Sequence, residues 1–114
     1  MRDLDVRNKL HEQKLNYFHN DPKSYVIDEV EVCYGEARVD IAVINGKLHA
    51  YEIKSEQDTL GRLKKQIEAY SRVFDFITLV VGQSHLERAK LLTPKWWGLL
   101  RAKKTQNKIF IKNN

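Results

Sequence analysis

The sequence predicts an α/β fold in which helices flank a mixed sheet, and three observations carry that expectation. Two apolar runs, 39–44 and 48–53, are hinged at Asn45-Gly46, a dipeptide that favours tight hairpins. The next segment places Leu60, Leu63, Ile67, Tyr70 and Phe74 at helical spacing. After it, Phe76-Ile77-Thr78-Leu79-Val80-Val81 is nearly all apolar up to Gly82, as suits a strand covered on both faces.

The elements follow in order. Leu4, Val6, Leu10, Leu15 and Phe18, with charges between them, predict an amphipathic helix over 3–18 that stops at Asn20-Asp21-Pro22. Tyr25-Val26-Ile27 and Val30-Glu31-Val32-Cys33-Tyr34 form one strand, bent or straight, that ends at Gly35. The hairpin strands come next, then a helix over 59–74 that Asp58 or Thr59 can cap. After the strand at 76–81, Ser84 can cap a short helix that runs to Leu92 and stops before Pro94. A second hairpin pairs Trp96–Leu100 with Ile109–Ile111 around Thr105-Gln106-Asn107; a helix continuing over 96–103 is the alternative. The strand after the second helix should join the sheet beside the first hairpin through a crossover.

A length of 114 residues suits a single domain, 1–114, with a core that needs no covalent staples. The single cysteine, Cys33, excludes an internal disulfide framework and a multi-cysteine zinc site, which fits a reducing compartment. No stretch approaches membrane-spanning length, and Met1-Arg2-Asp3-Leu4-Asp5 lacks the apolar core of a secretory signal, so the cytoplasm is the expected location. The net charge of +5 is uneven: from Gln83 onward eight Lys/Arg stand against Glu87 alone, and the first 82 residues carry −2. That polarity suits a phosphate-binding flank beside a cation-attracting centre; a solvated basic tail is the plainer alternative. Lys103 and Lys104 are the leading phosphate-contact candidates in the flank.

The chemistry is concentrated in three side chains. Asp40 stands twelve residues before Glu52, and Lys54 follows two positions later on the same strand face. Strands disfavour aspartate, and buried acids are costly unless paired, hydrated or metal-bound. Phosphodiester hydrolysis needs a nucleophilic water, neutralised phosphoryl oxygens and help for the leaving oxygen, most of which one or two Mg²⁺ ions can supply. Magnesium favours a few carboxylates plus water and substrate phosphate. Asp40 and Glu52 offer the carboxylates, the Ile53 carbonyl lies between Glu52 and Lys54, and Lys54 can orient the water or stabilise developing charge. Asp40 and Glu52 share a face only if the hairpin connection takes in Lys47 as a third residue or contains a bulge; a two-residue turn would set Asp40 opposite Tyr51.

Asp40, Glu52-Ile53-Lys54 and Gln66-Ile67-Glu68-Ala69-Tyr70 together resemble the PD-(D/E)XK nuclease superfamily, in the branch with a Gln-x-x-x-Tyr motif on the helix after the lysine strand. The resemblance spans roughly 3–82, with Val39 in place of the proline of the family's name. It implies a restriction-endonuclease-like αβββαβ core, here followed by a short helix and a C-terminal β-hairpin. It implies a metal-dependent endonuclease or exonuclease acting on DNA, with RNA as the open alternative, and Mg²⁺ replaceable by Mn²⁺. By the same resemblance Asp40, Glu52 and Lys54 are catalytic. Asp40, Glu52 and the Ile53 carbonyl bind the metal, with Glu12 as a further candidate ligand from the first helix. Gln66 and Tyr70 support the site or touch DNA. Non-catalytic use of the same fold, to bind nucleic acid or a protein, is the rival expectation, and so short a chain suits a homodimer or a protein partner.

Overall fold

The computed structural model describes residues 3–106 and 108–113. In chain order it contains α1 (Asp3–Gln13), α2 (Asn16–Asn20), β1 (Tyr25–Val32), β2 (Ala37–Ile44), β3 (Leu48–Lys54), α3 (Leu63–Ser71), β4 (Phe76–Gly82), a 3₁₀ turn (Gln83–His85), α4 (Leu86–Leu92), β5 (Gly98–Thr105) and β6 (Lys108–Asn113). The strands form one sheet in sequential order, β1 to β6. β3, β4 and β5 are parallel, while β1, β2 and β6 pair with their neighbours antiparallel. The mixed α/β class expected from the sequence is therefore what forms. No helix among the described residues is long and apolar enough to cross a membrane.

Two cores sandwich the sheet. On one face Leu63, Ala69 and Tyr70 of α3 and Leu86 and Ala89 of α4 pack on Ala42, Ala50, Ile77, Leu79 and Val81. On the other, Val6 and Leu10 of α1, with Leu15, cover Ile41, Val43, Tyr51, Ile53, Val80, Ala102 and Ile111. Both crossovers, β3–α3–β4 and β4–α4–β5, step the same way across the sheet. Crossovers of one hand put both helices on one side, so the first helix must seal the other.

The first hairpin takes the three-residue connection. Ile44 pairs with Leu48 and Ile41 with Tyr51, so Asn45, Gly46 and Lys47 all lie outside the ladder. Gly46 has φ +91°, a conformation that glycine adopts without a steric penalty. This register places Ala42 opposite Ala50 and brings Asp40 level with Glu52 at the next position.

Strict alternation then breaks at Asp40. Ala37 and Val39 belong to the α3/α4 core, yet Ile41 and Val43 belong to the α1 core, although all four would share a face in a regular strand. β1 switches with it: Val26 packs against the α1 core, Val30 and Val32 against the other. Glu29, level with Asp40 and missing from the ladder, takes φ +57° at the crossing point. A left-handed non-glycine residue costs about 1 kcal/mol or more and persists only where its surroundings enforce it.

Several boundaries differ from expectation. The single helix over 3–18 is two helices, because the chain turns at Lys14 to bury Leu15 fully, with the Lys14 and Leu15 amides both donating to the Leu10 carbonyl. α3 begins at Leu63, not Thr59, without a side-chain cap, since Asp58 instead accepts from the Ser55 N–H and hydroxyl. Ser84 likewise caps no helix; its N–H and hydroxyl bind the Glu56 carboxylate. That carboxylate fills the space beside Gly82, where a Cβ would come within 2.7 Å of Glu56 Cδ. β5 starts at Gly98, after both tryptophans: Trp97 is buried with its indole N–H 3.4 Å from Ser71 Oγ, and Trp96 is half exposed. β5 and β6 form the second hairpin; Asn107 of its turn lies outside the described residues.

Deleting Lys47 leaves Asn45-Gly46 as a two-residue connection with Ile44 still opposite Leu48, so the register and the buried faces of β2 should be kept. The expected result is cooperative unfolding in urea with a midpoint close to that of the parent protein. Loss of cooperative unfolding on deletion would show that Lys47 belongs to the ladder and would overturn the register argument.

Candidate functional site

Splaying of β2 from β3 beyond Ile41 opens a cleft of about 210 Å³ lined by Arg38, Asp40, Glu52, Ile53, Lys54, Asp58, Arg62 and Gln66. Asp40 closes the gap in the ladder itself: its Oδ2 accepts the Ile53 N–H at 2.7 Å, where a β2 carbonyl would otherwise serve. Its Oδ1 lies 3.3 Å from Arg7 Nη2. Glu52 and Lys54, two apart on regular β3, face α3, and Lys54 Nζ sits 3.4 Å from Glu52 Oε2. Their exposures are 3% and 8%, so both charges are largely withdrawn from water.

An ionised carboxylate at such a depth is expensive unless its oxygens are well served. α3 supplies the partners, because Gln66 and Tyr70 are four apart and so share a helix face. Gln66 Nε2 donates to Glu52 Oε2 at 3.2 Å. The hydroxyl of the fully buried Tyr70 lies 3.0 Å from Glu52 Oε1 and 2.8 Å from the Arg38 carbonyl oxygen. One phenolic proton cannot serve both acceptors fully. Both contacts are satisfied together when Glu52 carries a proton, donating to Tyr70 while Tyr70 donates to Arg38. The electrostatics agree. Burial first, then the nearby Asp40 charge, push the Glu52 carboxyl up to about 7, against the opposing pull of Lys54 and Tyr70. Burial and the same carboxylates raise the Tyr70 hydroxyl as well.

The sequence candidates divide into those brought together and those left apart. Asp40, Glu52, Ile53, Lys54 and Gln66 line the cleft, and Tyr70 lies against Glu52. Glu12 does not join them: its side chain is 67% exposed and paired with Lys9 on the surface of α1. Lys103 and Lys104 lie elsewhere, exposed on β5 beside Glu56 and Gln83. Cys33 is half-buried against the α3/α4 core, as a small packing residue. Sequence reasoning missed Arg7, Arg38, Arg62 and Asp58. Arg62 was detectable as the residue four before Gln66 and Arg38 as two before Asp40; nothing in the spacing marks Arg7.

Among the described residues no three His, Cys, Asp or Glu side chains are grouped to hold a metal ion. The oxygen donors at the cleft are the carboxylates of Asp40, Glu52 and Asp58, the last already accepting from Ser55, the Ile53 carbonyl, and Gln66 Oε1, which is buried with no hydrogen-bond partner. An orphaned buried oxygen beside Glu52, whose proton affinity the neighbouring Asp40 charge raises, suits a hard cation completed by water and phosphate.

The raised Glu52 carboxyl has a measurable consequence. Its folded value lies above its ordinary 4.5, so its stabilising contribution is full below about 4.5 and is lost as pH rises towards 7, by about 3 kcal/mol in all. Glu52→Gln, whose amide can donate to Tyr70 as the acid does, should raise the metal-free urea midpoint at pH 8 and leave it little changed at pH 4.5. Equal shifts at both pH values would show that Glu52 is ionised throughout.

A family model described as bacteriophage P4 protein cII matches residues 2–113. Protein cII of Enterobacteria phage P4 is 40% identical over 55 residues, which cover 48% of this chain and 21% of that protein. The chain thus aligns with about a fifth of the length of the curated relative it matches. With the family match running almost from one end to the other, the chain belongs to the bacteriophage P4 protein cII family.

Proposed function

We propose that this chain is a restriction-endonuclease-like domain that hydrolyses phosphodiester bonds in DNA with the aid of Mg²⁺ or Mn²⁺. The observation that carries the reading is the polar cleft that Asp40, Glu52 and Lys54 all line, with Gln66 bonded to Glu52 from α3. The order α–β–β–β–α–β through β4, interrupted only by the short α2, supports it. Asp40, Glu52 and the Ile53 carbonyl would hold the ion, with Gln66 Oε1 available as a further oxygen. A bound divalent ion supplies charge neutralisation at the phosphate and acidifies water.

The protein's own groups divide the remaining work. The Lys54 ammonium, held by Glu52, is placed to orient a water and to offset charge on the phosphoryl oxygens. Tyr70 and Gln66 fix the Glu52 carboxyl group through both of its oxygens. Arg38 and Arg62 on the cleft wall favour an anionic substrate. Lys103 and Lys104 extend positive charge near the carboxyl ends of β4 and β5, where a nucleic-acid backbone can run.

A second reading, a nucleic-acid or protein binding module without turnover, draws on one observation. Arg7 already supplies Asp40 with a cationic partner. The two readings differ in metal dependence.

A cleavage panel on single-stranded, duplex, flapped and branched DNA with Mg²⁺ or Mn²⁺ tests the proposal. Lys54→Ala and Asp40→Asn should each lower cleavage by on the order of 10²–10³-fold with the fold retained, since asparagine keeps an acceptor for the Ile53 N–H. Undiminished cleavage in both variants would refute the assignment. DNA binding that survives EDTA, without cleavage, would favour the binding module.

A further inference from the structure

Arg7 of α1 carries its guanidinium against the acids where β1 and β2 change sides. Val6 and Leu10, fully buried on the same helix, anchor α1 to the sheet and so set where the Arg7 side chain starts. Its side chain is only 15% exposed; Nη2 lies 3.3 Å from Asp40 Oδ1 and Nη1 lies 3.6 Å from Glu29 Oε1. Glu29 and Asp40 are the facing pair at which β1 and β2 change sides, so the guanidinium bridges the two acids at the crossing point. Asp40 Oδ2 is meanwhile engaged by the Ile53 amide. A cation that uses Asp40 must therefore share the carboxylate with a guanidinium or displace it, against a permanent positive charge.

Resting on the metal reading above, we propose that Arg7 is an internal competitor for the divalent cation. In the metal-free protein it neutralises Asp40 and holds it aligned, and it sets how readily the site takes up an ion. A residue with a purely structural role lowers stability and ligand affinity together when removed. A competitor lowers stability but raises affinity. That opposition in sign is the signature of the proposal.

Isothermal titration with MnCl₂, on wild type, Arg7→Gln and Arg7→Lys, reads it directly, with urea denaturation of the metal-free proteins alongside. Arg7→Gln should bind Mn²⁺ about tenfold more tightly than wild type and unfold at lower urea. Arg7→Lys, which keeps the charge, should stay closer to wild type in both. Adding Asp40→Asn should abolish the gain. Affinity that is unchanged or weaker in Arg7→Gln, with binding still measurable, overturns the competitor role and leaves the metal site standing. If neither wild type nor Arg7→Gln binds Mn²⁺, the metal reading fails and the competitor role falls with it.

Discussion

The site depends on one side chain doing the work of a backbone. Where β2 leaves β3, the Ile53 amide loses its carbonyl acceptor, and a buried amide without a partner is costly. Asp40 replaces that acceptor with a carboxylate oxygen. The substitution lets the two strands separate, opens the polar cleft and fixes a negative charge at its rim. A strand aspartate is thus tolerated because the sheet is deliberately incomplete at that point.

The second constraint is the count of donors around Glu52. Lys54, Gln66 and Tyr70 all approach it, and its burial is tolerable because these contacts replace lost water. The contacts are sufficient for a neutral acid and strained for an ionised one, given Asp40 nearby. Under the proposed metal reading the cleft would exchange that proton for a cation, while at its other end Arg7 pairs with Asp40. Two acids in one cleft are handled differently: one takes a proton, the other an arginine.

Much of this was legible in the sequence. The need for Lys47 in the hairpin connection follows from the parity of Asp40 and Glu52, and the crossover to β4 follows from the long apolar run at 76–81. Gln66 and Tyr70 were readable as one face of one helix. Less legible was anything set by tertiary packing. The helix break before Leu15 depends on a core pocket that lies between β-strands distant in sequence. Asp58 and Ser84 carry ordinary capping identities, yet each has a better partner in the loop after β3. Arg7 was invisible because its acceptor lies 33 residues away, and no local pattern links them. The family match places the chain among its relatives without assigning chemistry to any of these residues.

The Glu56 carboxylate nested beside Gly82 has a mechanical effect on the cleft. It ties the segment following β3 to the end of β4, while Asp58 clasps Ser55 and its carbonyl meets the His85 ring. The wall that carries Lys54 and Asp58 is thereby braced on two sides. The opposite bank, which has left β3, is held from elsewhere: Arg38 and Val39 stay laddered to β1, and the Arg38 carbonyl accepts from Tyr70. The cavity is therefore walled by two strands that no longer pair with each other, each secured by its own neighbours.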